Sequence, residues 1–406
     1  MRYLSLCLLL WGVLFAEPKI QLGVDVFFQE ERYLDLKGKK VALLTNHTGV
    51  DGQQKPTLEL LQQVEKDFKI VALFSPEHGL TGVAYAAENV GHKKEGKVQC
   101  YSLHGNYRRP TPEMLKGIDV IIYDIQEIGC RSYTYATTLF YVMEEAAKRG
   151  IEVMVLDRPN PMGGLLVDGP MLHDDSRSFL GYVNVPYCHG MTIGELARFF
   201  NEEYRVKCRL KVVPLQGWKR EMTFQETGLV WIPTSPQIPE ADTPFFYPAT
   251  GLLGELQLVS IGIGYTLPFK VVGAPWIDAK AFVKALNLQK LKGVKFLPFH
   301  FKPYFGPYKG EECHGVRILI TDAKQFRPVS IDYMIMGVLK SLYPQEVVKR
   351  LKALPEKKRA LFCKANGNTD ILNLLLQEKY PGWKMVSFEK EERKAFLEKR
   401  QKYLLY

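Results

Sequence analysis

The sequence predicts an α/β protein: a Rossmann-like three-layer domain with a mostly parallel sheet, followed by a smaller α+β C-terminal domain. Two observations carry this. From about residue 40 to 215, short β-branched runs alternate with stretches of helical periodicity, the order that lays helices on both faces of a parallel sheet. The runs are also nearly continuous in apolar residues, as strands covered on both faces require. At 406 residues the chain exceeds one ordinary domain and suffices for two with substantial cores.

The elements follow in order. Met1-Arg2-Tyr3, the apolar run Leu4 to Phe15 and then Ala16 fit a secretory signal peptide over residues 1–16, too short to span a bilayer. Cys7 lies inside that run, where a lipid-modified cysteine would stand at its end. Export to the periplasm or beyond is expected, with a soluble mature chain. Candidate strands are Val41–Thr45, Ile70–Phe74, Val98–Leu103, Val120–Tyr123, Val153–Leu156 and Leu210–Val213. Helical patterns cover Pro56–Val64, Tyr135–Lys148 and Glu195–Tyr204, the last with Thr192 and Glu195 spaced as a capping box. From Gln216 to Pro275 the texture turns proline-rich and aromatic, read as an ordered but irregular connection, and the first domain is expected to run from 17 to 240. The second, 241–406, holds strand candidates Val294–Leu297 and Val316–Ile320 and helices Ile331–Leu342, Asp370–Lys379 and Glu391–Leu404.

Composition narrows the function. The net charge is +10, but Lys and Arg are mixed with acids; the densest clusters, Lys357-Lys358-Arg359 and the C-terminal tail, read as solvated helix faces, so no nucleic acid is expected. Beyond Cys7 six cysteines remain with no Cys-x-x-Cys pair, read as buried thiols. Gly262-Ile263-Gly264 lacks the third glycine of a dinucleotide fingerprint.

Chemistry concentrates at strand ends. Thr45-Asn46-His47, Ser75-Pro76-Glu77-His78, Asp124-Ile125-Gln126-Glu127 and Asp157-Arg158-Pro159-Asn160 each follow a predicted strand, and in a parallel sheet those ends share one edge. No His-x-x-x-His spacing appears, and the Glu-x-x-His from Glu311 to His314 sits beside glycines in an expected loop, so neither metal nor cofactor is expected. No Gly-x-Ser-x-Gly elbow marks a serine hydrolase. Carboxylates at strand ends beside aromatics point to sugar chemistry, with Glu77 as the acid and Asp124, Glu127 or Glu88 as its partner.

Together with Pro110-Thr111-Pro112-Glu113, His189-Gly190-Met191-Thr192 and Gly273-Ala274-Pro275-Trp276-Ile277-Asp278, these clusters resemble the NamZ-like exo-β-N-acetylmuramidases. The resemblance implies an active site in a cleft between the two domains. It also implies release of N-acetylmuramic acid from the non-reducing end of peptidoglycan fragments, with Glu77 catalytic. On this footing Glu77, His78 and Asp124 are the catalytic candidates, His78 orienting Glu77. Asn46, Gln126, Glu127, Arg131, Arg158, Asn160, His189 and Glu255 are the candidate sugar contacts. Leu258, Ile261 and Ile263 stand where the family usually has Asn, Glu and Arg, and Cys188 where Arg is common. A substrate-shifted or non-catalytic saccharide-binding protein on the same scaffold is therefore the alternative.

Overall fold

The computed structural model describes residues 20–85, 88, 91, 93–95 and 98–406; the expected signal peptide lies outside them. The first sheet contains β1 (Lys40–Thr45), β2 (Lys69–Ser75), β3 (Lys93–Glu95), β4 (Val98–Ser102), β5 (Val120–Asp124), β6 (Glu152–Leu156) and β7 (Arg209–Val213). Their order is β3-β4-β2-β1-β5-β6-β7, all parallel except β3, which pairs antiparallel with β4 at one edge.

Alternation along each strand explains the layers. Val41, Leu43, Val120 and Ile122 point to one face, where they meet Val24 and Phe27 of α1 (Gly23–Gln29) and Leu61 of α2 (Thr57–Gln63). Ala42, Leu44, Ile121 and Tyr123 point to the other, against Leu139 and Met143 of α3 (Thr134–Ala147) and Leu196 and Phe200 of α4 (Ile193–Glu203). Each residue step reverses the face, so a run of apolar residues serves both cores. The expected capping box closes α4: Thr192 N–H donates to Glu195 (3.0 Å) and Thr192 Oγ1 accepts from the Glu195 N–H (3.2 Å).

The smaller domain is built from α5 (Thr243–Glu255), β8 (Val271–Ala274), α6 (Ala279–Leu288), β9 (Val294–Phe301), β10 (Cys313–Ile320), α7 (Pro328–Leu342), α8 (Pro344–Ala353) and α9 (Glu356–Asn366), with α10 (Asp370–Gln377), α11 (Gly382–Ser387) and α12 (Lys390–Lys399) behind them. Its antiparallel sheet has the order β8-β10-β9. The stretch read as irregular thus contains a helix and a strand. Pro248 hid α5: it is the sixth of the thirteen residues of that helix, in its interior, where it forfeits one backbone hydrogen bond. β8 is four residues long and gains its pairing from distant β10 and from a single bridge between Gly273 and Ser260.

The domains are laced together by buried guanidinium groups and by the chain end. Arg131 donates to the carbonyls of Pro170 (2.8 Å) and Val185 (2.6 Å) in the first domain and of Asn366 (2.5 Å) in the second. Arg400 donates to His189 and Gly190, and Tyr406 Oη to Asp157 (2.7 Å). The six cysteines of the described chain are buried and free. Among the described residues no helix is long and apolar enough to cross a membrane.

Candidate active site

A cavity of about 460 Å³ opens where the two domains meet. The first domain supplies Glu77 and His78 after β2 and Ser132 to Tyr135 at the start of α3; Ser235 to Ile238 come from the connecting stretch. The second domain supplies Tyr247, Gly251, Leu252, Gly254 and Glu255, which recur at helical spacing and form one face of α5, together with Ile261, Ile263, Pro307 and Lys358. Such a volume, with apolar walls and few charged groups, suits a sugar-sized ligand.

Glu77 sits at the end of β2 with its side chain only 13% exposed. Thr134 Oγ1 donates to its Oε2 (2.6 Å), and His104 Nε2 lies 3.7 Å from its Oε1. Thr134 is the first residue of α3, so the carboxylate meets the positive end of a helix. Burial pushes the His104 imidazole below its ordinary range although Glu77 opposes this, so a neutral ring stands beside the carboxylate. His104 follows β4 as Glu77 follows β2; the strand-end rule that found Glu77 reaches it too.

His78 occupies the left-handed region (φ 69°), turning its ring into the cavity against Tyr135. Its Nδ1–H donates to the Ala84 carbonyl (2.6 Å), since a carbonyl can only accept. That bond fastens the loop after Glu77. Glu88 is exposed and accepts from the Tyr85 N–H (2.8 Å).

Glu255 ends α5 at the cavity wall, and burial raises its carboxyl above the ordinary range, only partly offset by the attraction of Lys358. Lys358 belongs to the basic cluster read as a solvated helix face; α9 instead turns it inward. Among the described residues lining the cavity, Glu77 and Glu255 are the carboxylates and Lys358 is the lysine or arginine.

The structure sets the other expected residues apart from this cavity. Asp124 is fully buried and held by Arg158 through both oxygens (Nε to Oδ1 2.5 Å, Nη2 to Oδ2 2.9 Å) and by Thr57. Asn46 Oδ1 accepts from Thr48 N–H and Oγ1 (2.9 and 2.6 Å). Gln126 Nε2 donates to the carbonyls of Glu127 and Pro159 (2.8 and 2.9 Å). Asn160 bridges Met162 N–H and the Met191 carbonyl (3.0 and 3.1 Å). His189, held far below its usual range at about 3 by burial, accepts from Met191 N–H (3.1 Å). Arg131 is the interdomain tie described above. Glu127 is buried beneath the wall, and desolvation raises its carboxyl to about 8. These placements share a cause: a strand end can be polar because its loops must be tied, and here most of these side chains bond within the fold, while Asn46 Nδ2 and Glu127 Oε1 are buried with no bonding partner. Cys188 is likewise buried, its backbone bridged to Cys130 and Asp168. Of the aliphatic trio, Ile261 and Ile263 line the cavity, while Leu258 is buried.

The sequence profile of the exo-beta-N-acetylmuramidase NamZ N-terminal domain matches residues 41–242, and that of the C-terminal domain matches 245–406. The chain belongs to the NamZ family. It is 42% identical over 332 residues to the peptidoglycan beta-N-acetylmuramidase NamZ of Bacillus subtilis strain 168, covering 81% of this chain and 80% of that one. Two solved NamZ-like folds are DUF1343 family proteins of Bacteroides fragilis. One superposes with a TM-score of 0.89 at 39% identity, over 96% of this chain and 99% of that one. The other gives 0.73 at 28%, over 95% and 99%.

Proposed function

We propose that this NamZ-family chain is an exo-acting β-N-acetylmuramidase that releases N-acetylmuramic acid from the non-reducing end of peptidoglycan fragments. The observation that carries the reading is the pair Glu77 and Glu255, contributed by different domains to one cavity. Glycoside cleavage needs one carboxyl to protonate the leaving oxygen and a second to attack the anomeric carbon or activate water.

Their surroundings divide those roles. Glu255 keeps its proton above the usual carboxyl range because its end of α5 is desolvated, as a general acid requires. Glu77 receives a hydroxyl donor at a helix N-terminus, suited to the anionic partner. This exchanges the role the sequence suggested for Glu77. Lys358 takes the lactyl carboxylate of muramic acid, the substrate's own anion, while Ile261 and Ile263 pack against its apolar edge. The chain is exported through its N-terminal apolar run, so that it meets wall fragments outside the cytoplasm.

Product analysis of purified protein with defined muropeptides tests the reading: free N-acetylmuramic acid is expected, and tight binding in calorimetry with no product released would favour the saccharide-binding alternative. The roles separate by leaving group. A Glu255→Gln variant should recover much of its rate on a nitrophenyl glycoside, which needs no protonation to depart, whereas Glu77→Gln should not. N-terminal sequencing of secreted protein checks the cleavage near Ala16.

A further inference from the structure

We propose a divalent-cation site on the smaller domain, formed by His300 of β9, His314 of β10 and Glu312 just before β10. His300 and His314 are directly paired across the antiparallel ladder, so both side chains leave the same face of the sheet. Their Nδ1 atoms stand 2.8 Å apart, and one ligand atom from each of the three residues lies within 4.8 Å of the others. Two imidazoles and a carboxylate are the donor set of three-ligand zinc sites whose fourth position is left to water.

The fit is close. A tetrahedral ion bound at about 2.0–2.1 Å holds two nitrogens roughly 3.3 Å apart, so the rings need only a small outward rotation, and His300 and Glu312 are exposed enough to make it. Without metal, one Nδ1 must carry a proton for the other to accept. On binding, that proton moves to Nε2 of the same ring, both Nδ1 lone pairs go to the ion, and neither ring changes charge. Sequence spacing concealed the site. Glu311-x-x-His314 offers a helix-type signature where no helix exists; the ligands come from two strands joined by a loop.

That loop gives the ion a task. Residues 302–312 connect the two ligand strands and reach the cavity through Pro307. The loop also grips the aliphatic segment of the cavity wall: Tyr304 N–H donates to the Gly264 carbonyl (2.8 Å) and Tyr308 Oη to the Leu258 carbonyl (2.8 Å). A cation at the base of the loop pins its two ends and stiffens the wall bearing Ile261 and Ile263. Affinity falls as the pH drops, because protons and metal compete for the same nitrogens.

The experiment is isothermal calorimetry of tag-free, chelator-treated protein with zinc chloride, and with magnesium chloride as an oxygen-preferring control. One zinc per chain is expected, with no saturable magnesium binding. His300→Asn and His314→Asn should each weaken zinc at least about tenfold, since each removes an imidazole ligand, and Glu312→Gln less, since its amide oxygen can still ligate. Zinc should raise the melting temperature of the wild type and leave the double histidine variant unmoved. Melting curves in chelator that match the wild type show the variants folded. Absence of saturable zinc binding, or undiminished binding by the double variant, overturns the proposal.

Discussion

Two places in this molecule had a claim to be the active site. The first is the crevice where the strand order reverses, between the ends of β1 and β5, the position at which open α/β sheets hold ligands. The second is the end of β2, one strand further out, where the smaller domain closes over Glu77. The crevice is filled by the protein itself: Thr45 Oγ1 donates to the Asp124 carbonyl (2.8 Å), Arg158 clasps the Asp124 carboxylate, and the cavity left beside Gln126 and Arg158 is only about 20 Å³, about one water molecule's room. The β2 end keeps a cavity of about 460 Å³ with two carboxylates. Polar residues at strand ends therefore mark function only where a second body leaves space beside them.

Breaking the second place should cost the most activity. Glu77→Gln is expected to lower kcat on a chromogenic muramic-acid glycoside by about 10³-fold or more with KM little changed, within the range for losing an essential catalytic carboxylate; near-wild-type turnover would remove Glu77 from the mechanism.

Breaking the first should cost stability instead. Arg158→Met leaves the Asp124 charge, fully buried in the structure, without its partner, a change worth about 3–5 kcal/mol. Denaturant melts should record that loss, while kcat of the folded fraction stays within about threefold. A collapse of kcat in a stably folded variant would return catalysis to the crevice.

Glu255→Gln should lower kcat on muropeptide by about 10²-fold. In the wild type the raised Glu255 carboxyl keeps the acid form above the ordinary range, so activity falls only as the pH rises through that raised value. The variant's pH–rate profile should lose this alkaline limb. Lys358→Met is expected to raise KM about tenfold for a muramic-acid glycoside and to leave the N-acetylglucosamine analogue, which has no lactyl carboxylate, unaffected. Equal effects on both would mean that the ammonium does not read the acid.

The smallest effect sharpens the line between wall and foundation. Glu127 holds its proton to about 8 in the fold, against roughly 4.3 when unfolded. Between those values the unfolded chain releases a proton that the folded one keeps, so stability falls as the pH rises through this window. Glu127→Gln, whose amide oxygen can still accept from the backbone, should melt a few degrees higher than the wild type at pH 8 and equally at pH 4.

Much of the sheet was legible because its strands are marked twice, by β-branched apolar runs and by the turn residues that end them. Even so, β3 was missed, since a three-residue polar edge strand carries neither mark, and α5 was hidden by Pro248. Glu77 was legible as a carboxylate at the mouth of a buried strand. His104, at the next strand end, was overlooked although the same rule applies. Lys358 was beyond reach, because a basic cluster on a helix looks alike whether one member turns to solvent or to a cavity.

The sequence by itself determined the alternation of elements, the parallel sheet and the placing of polar groups along one sheet edge, because these depend on local periodicity and on which side chains avoid water. The tertiary structure decided which of those groups are spent on one another and which face open space. That choice depends on residues far apart in the chain: Asp124 bonds to Arg158, Arg131 bonds to Asn366, and Glu77 and Glu255 line one cavity from either side of the domain junction. No local pattern encodes such distances, and only packing the smaller domain onto the larger brings the acid, its partner carboxylate and the lysine to one cavity.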